Sequence, residues 1–453
     1  MIRSSPALRL LFAVSLVVLA GAIRVAWADA TSSSVPAQRE QLTTNPRSAV
    51  AHDNEVMALA SHSGRLFAAT DQWQYSGPSP HGQVLVKSSA RGSWKVFEQT
   101  QSLRVQALDS FPIPKDQGLG RGHSLLITQA IVNGRSRIQW LLDGARSFTS
   151  SFALQSKAVD VRSFGAHKSG GVWSVYAGAN PTGILRGTWS GKQHTLVFER
   201  KPELVAAPPG SPGLKTQKVT GFADCGRSLY VSINTKLYRR NDGKLPTGVA
   251  RWSLVYQEPP VGPRNSGLRG LTCVTHNGSP SLLVSTEGDG NVYRFDHLGS
   301  GALVPILEFS PRVALRQIVG PQSIGYVIAA YNNFETVTVG GGERQLFGIE
   351  WNYVGGCPAT RTCAPSSFDA AACFGVRADR AQPTYALRCL GGRAFKPAAT
   401  QVSPVRSGQA FVAIRTIKLS PFGDGRLYYG GYDCNFQPAD GAAWIGSSPA
   451  GSA

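Results

Sequence analysis

A strand–turn–strand unit recurs along the chain, and this repeat constrains the fold more than any other feature of the sequence. Each copy begins with a short apolar strand, passes through a turn containing Gly or Asn, and continues in a second strand that ends in small residues. The copies are Val56–Leu59 with Arg65–Thr70, Val219–Phe222 with Leu229–Ile233, Leu271–Cys273 with Leu282–Thr286, Ile318–Val319 with Tyr326–Ala330, and Ile417–Leu419 with Arg426–Gly431. Third strands follow, and fourth strands in many copies, so a four-stranded unit returns every ~40–50 residues.

This spacing predicts an all-β fold, a β-propeller whose blades are mostly sheets of four antiparallel strands. The 50 Gly and 28 Pro residues suit many short strands joined by tight turns. Seven copies between residues 51 and 446 predict seven blades, with eight as the alternative. After the first thirty residues, no stretch has the period of a helix.

Three segments fall outside the regular repeat. Residues 31–50 could supply the strand that closes the ring, because the last copy lacks a fourth strand. Residues 356–400 contain four cysteines and are interpreted as a Cys-rich insertion pinned by disulfides, or as the degenerate eighth blade. Residues 447–453, which contain mainly Gly, Ser and Ala, predict a flexible tail.

Residues 1–30 have the pattern of a secretory signal peptide. Arg3 and Arg9 begin it, Leu10–Ile23 is an apolar run, and Ala28–Ala30 has the form of a cleavage site. The run is shorter than the ~20 residues that a membrane-spanning helix needs. We therefore expect a periplasmic or secreted protein, with an uncleaved membrane anchor as the alternative.

The cysteines also indicate export. All seven lie after residue 220, and cysteines in an exported chain predict disulfides. Cys225 and Cys273 occupy equivalent strand ends in successive copies and could pair. No C-x-x-C is present, so a structural zinc site or redox motif is not indicated. The odd number leaves one cysteine free or paired between chains.

The formal net charge of +19 favours acidic partners: an anionic small molecule, a glycan or an envelope protein. The alternative is that the charge serves solubility alone. Nucleic acid is not expected, because the chain is exported and no basic run is interleaved with aromatic residues. Membrane contact is expected only through an uncleaved signal.

A charged residue precedes the innermost strand of every copy when the copies are aligned. These residues are Glu55, Arg104, Asp160, Lys218, Arg269, Arg316 and Arg415. Innermost strands surround the channel of a propeller, so the alignment predicts a ring of five cations and two anions near one mouth. Because Arg binds carboxylate, sulfate and phosphate in a bidentate manner, the ring predicts an anion site. A solvated rim of paired charges is the alternative.

The loops after the second strands are expected on the same face. They carry Asp71, Trp73, Asn180, Asn234, Glu287, Asp289, Asn332, Tyr432 and Asp433. Such acids, amides and rings could hold a sugar, although each residue alone is also typical of turns. No cofactor is expected, with Ca²⁺ on Asp71, Glu287, Asp289 and Asp433 as a secondary hypothesis.

Recognised catalytic motifs are absent: the sequence has neither a G-x-S-x-G elbow nor a G-x-x-x-x-G-K loop. Ser88–Trp94 resembles the Asp-box turn of sialidase-type propellers, without its aspartate and one residue short. In architecture the repeat and export signal resemble secreted bacterial β-propeller proteins, a resemblance that carries over no catalytic residues. The sequence therefore predicts a binding propeller. A glycan-active lyase or hydrolase and a structural envelope scaffold are the alternatives.

Overall fold

The computed structural model of the protein describes residues 33–35, 38–40, 55–71, 82–102, 104–117, 123–154, 160–180, 182–204, 218–246, 251–259, 267–299, 301–319, 324–353, 373–390, 413–432 and 443–452. The segment predicted as a signal peptide lies outside these residues.

Nearly every described element is a β-strand, and the strands come in consecutive antiparallel sets. Two short strands come first: β1 (Ser33–Val35) and β2 (Gln38–Arg39). Then follow β3 (Glu55–His62), β4 (Arg65–Asp71), β5 (Gln83–Lys87) and β6 (Lys95–Gln99). The next set is β7 (Leu108–Pro112), β8 (Ser124–Val132), β9 (Arg135–Leu142) and β10 (Thr149–Ala153). After it come β11 (Asp160–Ser169), β12 (Val172–Asn180), β13 (Gly183–Ser190) and β14 (Thr195–Phe198).

The second half of the chain continues in the same way. It contains β15 (Val219–Cys225), β16 (Ser228–Ile233), β17 (Lys236–Arg240) and β18 (Trp252–Gln257). Next are β19 (Gly267–His276), β20 (Ser279–Gly288), β21 (Val292–Phe295), β22 (Pro305–Phe309) and the helix α1 (Pro311–Val319). The last elements are β23 (Ile324–Ala329), β24 (Glu335–Val339), β25 (Gly342–Tyr353), β26 (Cys373–Ala378), β27 (Thr384–Leu390), β28 (Ala413–Leu419), β29 (Arg426–Tyr432) and β30 (Ala443–Pro449).

The sets surround a central cavity of about 480 Å³. Segments of β3, β7, β11, β15, β19 and β28 line it, together with residues 332–334. Ala58, Ala60, Gly165 and Gly221 are among the lining residues. A Cβ at Gly165 would lie 2.4 Å from the Cβ of Phe222, so the absence of a side chain lets the innermost strands β11 and β15 approach closely. Four-stranded antiparallel sheets arranged around a channel form a β-propeller, which confirms the predicted all-β propeller architecture.

The hydrophobic core is divided among the interfaces between neighbouring sheets. Trp140 of β9 packs edge-on against Trp189 of β13, with 5.6 Å between ring centroids. Phe374 of β26 packs against Tyr429 of β29 with a centroid distance of 5.3 Å. Each sheet therefore buries both of its faces against neighbours, which stabilises the ring through inter-sheet contacts.

The N-terminal strands join the outer edges of two neighbouring sheets. β2 pairs antiparallel with β30, and β1 pairs parallel with β27. Glu40 extends the connection: it accepts hydrogen bonds from Ser447 and from Lys87, whose Nζ lies 3.0 Å from Glu40 Oε2. β2 thus lies beside β30 as a further strand of the sheet that contains β28, β29 and β30.

Three expectations from the sequence are wrong. Part of the segment interpreted as an insertion, Cys373–Leu390, forms β26 and β27, which extend the β25 sheet. Ser447–Pro449 belong to β30 and do not form a flexible tail. Ile318–Val319 end the helix α1 and are not an innermost strand. Pro311 is tolerated in the first helical turn, where its missing N–H costs no hydrogen bond.

Two disulfides are present among the described residues. Cys225–Cys273 joins the ends of the innermost strands β15 and β19, as the equivalent positions of these cysteines predict. Cys373–Cys389 crosses β26 and β27, where the two residues are directly opposed. Cys357, Cys363 and Cys434 lie outside the described residues. Within the described residues, no helix is long and apolar enough to span a membrane.

His167 links two sheets near the far ends of their innermost strands. Its Nδ1 lies 3.1 Å from Asp224 Oδ1, and its Nε2 lies 2.9 Å from Asp242 Oδ2. Burial alone lowers the pKa of His167, but its hydrogen bonds to Asp224 and Asp242 outweigh burial and raise that pKa above 6.5. The imidazolium is therefore favoured in the folded state.

We expect His167→Asn to be more destabilising at acidic than at alkaline pH. A folded pKa above the unfolded value means that the stabilisation is fully present below about pH 6.5 and is lost as the pH rises through the folded pKa. Denaturant unfolding at pH 6 should show a loss of about 1.5–3 kcal/mol, the usual value for hydrogen bonds to a charged group. His194→Asn, at an exposed turn position, is the control. A loss of the same size at pH 6 and pH 9 would contradict the expectation.

Candidate functional site: the charged mouth of the channel

Two carboxyl groups face each other where the innermost strand β3 begins. Glu55 starts β3 and Asp71 ends β4, so antiparallel pairing places them directly opposite. Asp71 is 0% exposed and Glu55 is 3% exposed. Arg415 reaches Glu55, with 3.3 Å between Nη2 and Oε2, and Arg104 reaches Asp71, with 3.4 Å between Nε and Oδ1.

The surroundings of Asp71 favour its neutral form. In the described part of the chain, no N–H or hydroxyl group donates a hydrogen bond to either carboxyl oxygen of Asp71. Burial raises the pKa of Asp71 well above its usual range, the negative charge of Glu55 raises it further, and Arg104 acts in the opposite direction. The raised pKa favours the protonated form of Asp71, which carries no negative charge.

β-Bulges position two of the cations. The pairing of β3, β11, β15, β19 and β28 with the following strand shifts register close to the mouth. The extra residue is Arg162 in β11 and Arg415 in β28. A bulge re-aims the side chain that it inserts. Arg162 Nε accordingly lies 3.2 Å from Asp160 Oδ2, and Arg162 lines the cavity.

The same bulges correct the sequence alignment. The residue of β28 at the level of Glu55 is Ala413, which pairs with Tyr432 as Glu55 pairs with Asp71. Arg415 lies two positions further along its strand. The aligned charges therefore do not lie at one depth, and Arg162 is a mouth residue that the alignment missed. The sequence carries no signal for it, because a bulge leaves no periodic pattern.

Tyr331 lies between two guanidinium groups. Its ring centroid is 4.3 Å from Cζ of Arg269 and 4.0 Å from Cζ of Arg415. Both β23 and β24 pair with β25, so the residues between them, 330–334, interrupt the innermost strand of this sheet. Tyr331 occupies the interruption, which the sequence-based strand over Tyr326–Ala330 did not anticipate. Cation–π contacts of this kind fix both arginine side chains.

Each of these arginines also has acidic partners. Arg269 Nε donates to Glu287 Oε2 at 3.0 Å, and Tyr326 Oη donates to Glu287 Oε1 at 2.7 Å. Arg415 Nη1 lies 2.6 Å from Glu350 Oε2. Arg269 and Arg415 are therefore neutralised by buried acids and serve mainly to organise the mouth.

Lys218 is held differently. It directly precedes β15, and its backbone N–H donates to Asn234 Oδ1 at 2.9 Å. Within the described residues, no carboxylate lies within ion-pair distance of its Nζ. Burial lowers the pKa of Lys218; Glu287 raises it, and the positive charges of Arg269, Arg162 and Arg104 lower it again. Lys218 is thus a partly buried cation among other cations.

The remaining site predictions have mixed outcomes. Asn332 donates to the carbonyl oxygen of Met57 and lines the cavity. Tyr432 pairs with Glu55 through the backbone. Arg316 is wrongly placed by the sequence: it is an exposed residue of α1, and the Leu315–Arg316 match to the innermost strands is accidental. Trp73 and Asp433 lie outside the described residues.

The acids considered for Ca²⁺ are engaged by arginines where the structure describes them. Asp71, Glu287 and Asp289 lie 3.4, 3.0 and 2.9 Å from nitrogen atoms of Arg104, Arg269 and Arg312, respectively. Among the described residues, no group of three or more His, Cys, Asp or Glu is arranged to hold a metal ion.

No family model matches the chain, and no curated protein matches it. Several solved propeller structures are similar in fold. The Cps50 (Swd1) β-propeller domain of Myceliophteria thermophila is 12% identical, with a TM-score of 0.43, over 87% of this chain and 96% of that one. A Trypanosoma rangeli sialidase in complex with sialic acid is 10% identical, with a TM-score of 0.45, over 93% and 60%. An ancestral GH74 enzyme is 11% identical, with a TM-score of 0.47, over 88% and 48%. At these identities and TM-scores, the similarities carry no argument about ligand or activity.

Proposed function

We propose that the protein is an exported, seven-bladed β-propeller that binds an anionic ligand at the charged mouth of its channel. The ligand class is a small molecule or glycan bearing carboxylate, sulfate or phosphate groups. Seven blades are supported by the segments that line the cavity, one from each consecutive strand set. Export is supported by the two disulfides, because disulfides persist in oxidising compartments.

The observation that carries the proposal is the set of cations around Lys218. Glu287 and the cations Arg269, Arg162 and Arg104 act on it in opposite directions, and no carboxylate of the described residues lies within ion-pair distance of its Nζ. The side chain of Arg104 is 34% exposed, so solvent and a ligand can reach this group. Low-dielectric walls strengthen the field of such a cluster, and a bound anion would relieve the repulsion among the cations.

The neutral form of Asp71 increases the net positive charge of the mouth. Because the neutral form of Asp71 carries no charge, the cations Arg104, Arg162 and Lys218 outweigh the acid Asp160 beside them. The contacts of the Tyr331 ring with the buried side chains of Arg269 and Arg415 hold this part of the mouth rigid. A rigid, positively charged cleft is suited to anion binding with little ordering cost.

A glycan-active enzyme is the second candidate. The hydrogen bond from Tyr326 to Glu287 favours it, because a tyrosine paired with a carboxylate can act in proton transfer. Asp71 retains its proton as a general acid must, but it is fully buried and has no access to a ligand. Binding without turnover is therefore the preferred function. Release of unsaturated sugar from uronate polymers, followed by ultraviolet absorbance, would favour the enzyme.

We expect Lys218→Met and Arg104→Ala each to weaken anion binding about fivefold or more, because each removes a cation whose attraction to the ligand contributes roughly 1 kcal/mol. Isothermal titration at low ionic strength with uronate, sulfated and phosphorylated oligosaccharides measures the affinity. Lys192→Met and Arg316→Ala are the matched controls, since both residues are exposed and neither lines the cavity. Affinities that the mouth variants leave unchanged would refute the anion site.

A further inference from the structure

We propose that Ser110, His62 and Asp143 form a hydrolytic site for small carboxylic esters at the end of the channel opposite the charged mouth. His62 ends β3, Ser110 lies in β7, and Asp143 directly follows β9. The eight residues of β3 begin at Glu55 in the charged mouth, so at ~3.3 Å per residue the two ends lie roughly 25 Å apart. The inference goes beyond the proposed anion binding and does not depend on it.

The hydroxyl of Ser110 and the imidazole of His62 are within hydrogen-bond distance. Nδ1 of His62 lies 3.2 Å from Ser110 Oγ and 3.1 Å from Ser124 Oγ. The Ser124 hydroxyl donates its proton elsewhere, to Asp143 Oδ1 at 2.7 Å. The Ser110 hydroxyl is therefore the one that can donate to Nδ1, which is the arrangement of a nucleophile and its general base.

Asp143 faces the other nitrogen of the imidazole ring. Its Oδ1 lies 3.6 Å from His62 Nε2, and its carboxylate accepts from Ser63 Oγ and, at 2.6 Å, from the backbone N–H of Ser124. Burial raises the pKa of Asp143, but the hydrogen bonds from Ser63 and Ser124 outweigh burial and lower it. The ionised carboxylate favours the proton on Nε2, which leaves the lone pair of Nδ1 for Ser110.

His62 is suited to accept a proton because it is neutral at rest. It is 2% exposed, and burial lowers its pKa below 6.5, although the negative charge of Asp143 acts in the opposite direction. The positive charge of Arg65 lowers this pKa further. In contrast, two hydrogen-bonded carboxylates raise the pKa of His167. At pH 7 the imidazole of His62 is thus a free base beside a hydroxyl group.

Ser110 is open to a ligand from the channel. It is partly exposed and lines the central cavity of about 480 Å³, a volume typical of small-molecule sites. Phe111 and Phe164 also line this cavity and favour a short apolar acyl group. Because β7 is the edge strand of its sheet, it presents backbone N–H groups that can donate to the ester oxygen.

The reaction needs only water as a co-reactant. Ser110 Oγ bonds to the ester carbonyl carbon while its proton moves to His62 Nδ1 and the π electrons move to the carbonyl oxygen. These electrons return, the bond to the alcohol oxygen breaks, and the alcohol leaves with the proton from Nδ1. Water then attacks the acyl-serine and gives a proton to Nδ1, the carboxylic acid leaves, and Ser110 Oγ regains that proton. Each cycle converts one ester and one water into one acid and one alcohol.

Covalent labelling tests the nucleophile. The purified protein is incubated with a fluorophosphonate, from which a reactive serine oxygen displaces fluoride, and intact mass with peptide mapping locates the adduct. We expect one adduct per chain at Ser110. Ser110→Ala should lose it, whereas Ser88→Ala, at an exposed serine, should retain it. His62→Gln should slow the labelling at least hundredfold, and His194→Gln, at an exposed histidine, should leave it unchanged.

Turnover is measured with 4-nitrophenyl acetate and butyrate through the absorbance of the released nitrophenolate. We expect Ser110→Ala to lower kcat/KM at least hundredfold, with Ser88→Ala as the matched control. Asp143→Asn should lower kcat at least tenfold and leave KM unchanged, because Asp143 acts through His62 and not on the ester. Urea unfolding establishes that each variant is folded at the assay temperature.

Two results would overturn the inference, and both would leave the anion site standing. The first is the absence of a fluorophosphonate adduct at Ser110 in the folded, unmodified protein, which needs no variant to be stable. The second is equal ester hydrolysis by Ser110→Ala and the unmodified protein, since hydrolysis would then come from other groups of the chain.

Discussion

Glu308→Ala should lower the free energy of unfolding by about 3–5 kcal/mol, the range observed when one partner of a buried ion pair is removed. Glu308 is 3% exposed, and it lies in β22, facing the neighbouring sheet. Arg377, which is fully buried, donates to it through Nε at 2.7 Å and Nη2 at 3.1 Å. Arg294 and Tyr385 also donate to it. Without the carboxylate, the buried guanidinium of Arg377 loses its counter-charge, whereas Arg294 retains Asp296.

The pH dependence of this contribution has a definite sign. Burial raises the pKa of Glu308, but the hydrogen bonds and charges of Arg377 outweigh burial, so the pKa lies below 4.5. A lowered folded pKa means that the stabilisation is present above the unfolded value and is lost as the pH falls through the folded one. The deficit of the variant should therefore be largest at neutral pH.

Urea unfolding at pH 7 measures the difference. Glu199→Ala removes an ion pair with Arg186 from a residue whose side chain is 50% exposed, and it should cost less than about 0.5 kcal/mol. A loss for Glu308→Ala no larger than the loss for this control would show that the inter-sheet network contributes little to stability.

Anion affinity should fall about tenfold as the pH rises through the pKa of Asp71. Below that pKa, Asp71 is neutral; above it, a negative charge appears beside Arg104 and Arg162, which opposes ligand binding by about 1.4 kcal/mol at an effective dielectric constant of about 20. Loss of the Lys218 proton also lowers the anion affinity as the pH rises. A variant at Asp71 is needed to separate the two groups.

Asp71→Asn keeps the shape of the side chain and removes the titration. We expect its affinity to remain high over the range in which the unmodified protein weakens, until Lys218 loses its proton. Titrations of uronate ligand from pH 5 to 9 give both profiles. Asp379→Asn, at an exposed hairpin tip, is the control and should follow the unmodified protein. Identical pH profiles of anion affinity for Asp71→Asn and the unmodified protein would show that Asp71 is not the group whose titration weakens binding.

The sequence predicts those features of the fold that repeat. The propeller follows from strand copies at regular spacing, and the Cys225–Cys273 bond follows from equivalent positions in neighbouring copies. It does not predict the strands within Cys373–Leu390, because paired cysteines are as typical of a disulfide-pinned insertion as of two neighbouring strands.

The mouth is predictable only in part, for physical reasons. Glu55 begins β3 and Asp71 ends β4, while Lys218 directly precedes β15 and Arg269 is close to the start of β19. Alignment is informative at such strand ends. Arg162 and Tyr331 are positioned by a bulge and by an interrupted strand, and both break the two-residue period on which the alignment depends. Arg316 shows the opposite error, since a short motif matched a strand while its surroundings formed a helix.

The edge contact between β2 and β30 also has a consequence for biogenesis. Ser447 and Glu40, which are hydrogen-bonded there, are separated by 407 residues. β2 is therefore synthesised long before its partner β30, and the partly made ring presents an unpaired strand edge until β30 is made. Exposed edges invite pairing with other chains. Slow translation of the segment that contains β30, or a tag fused directly before β1, should therefore favour aggregation of the protein.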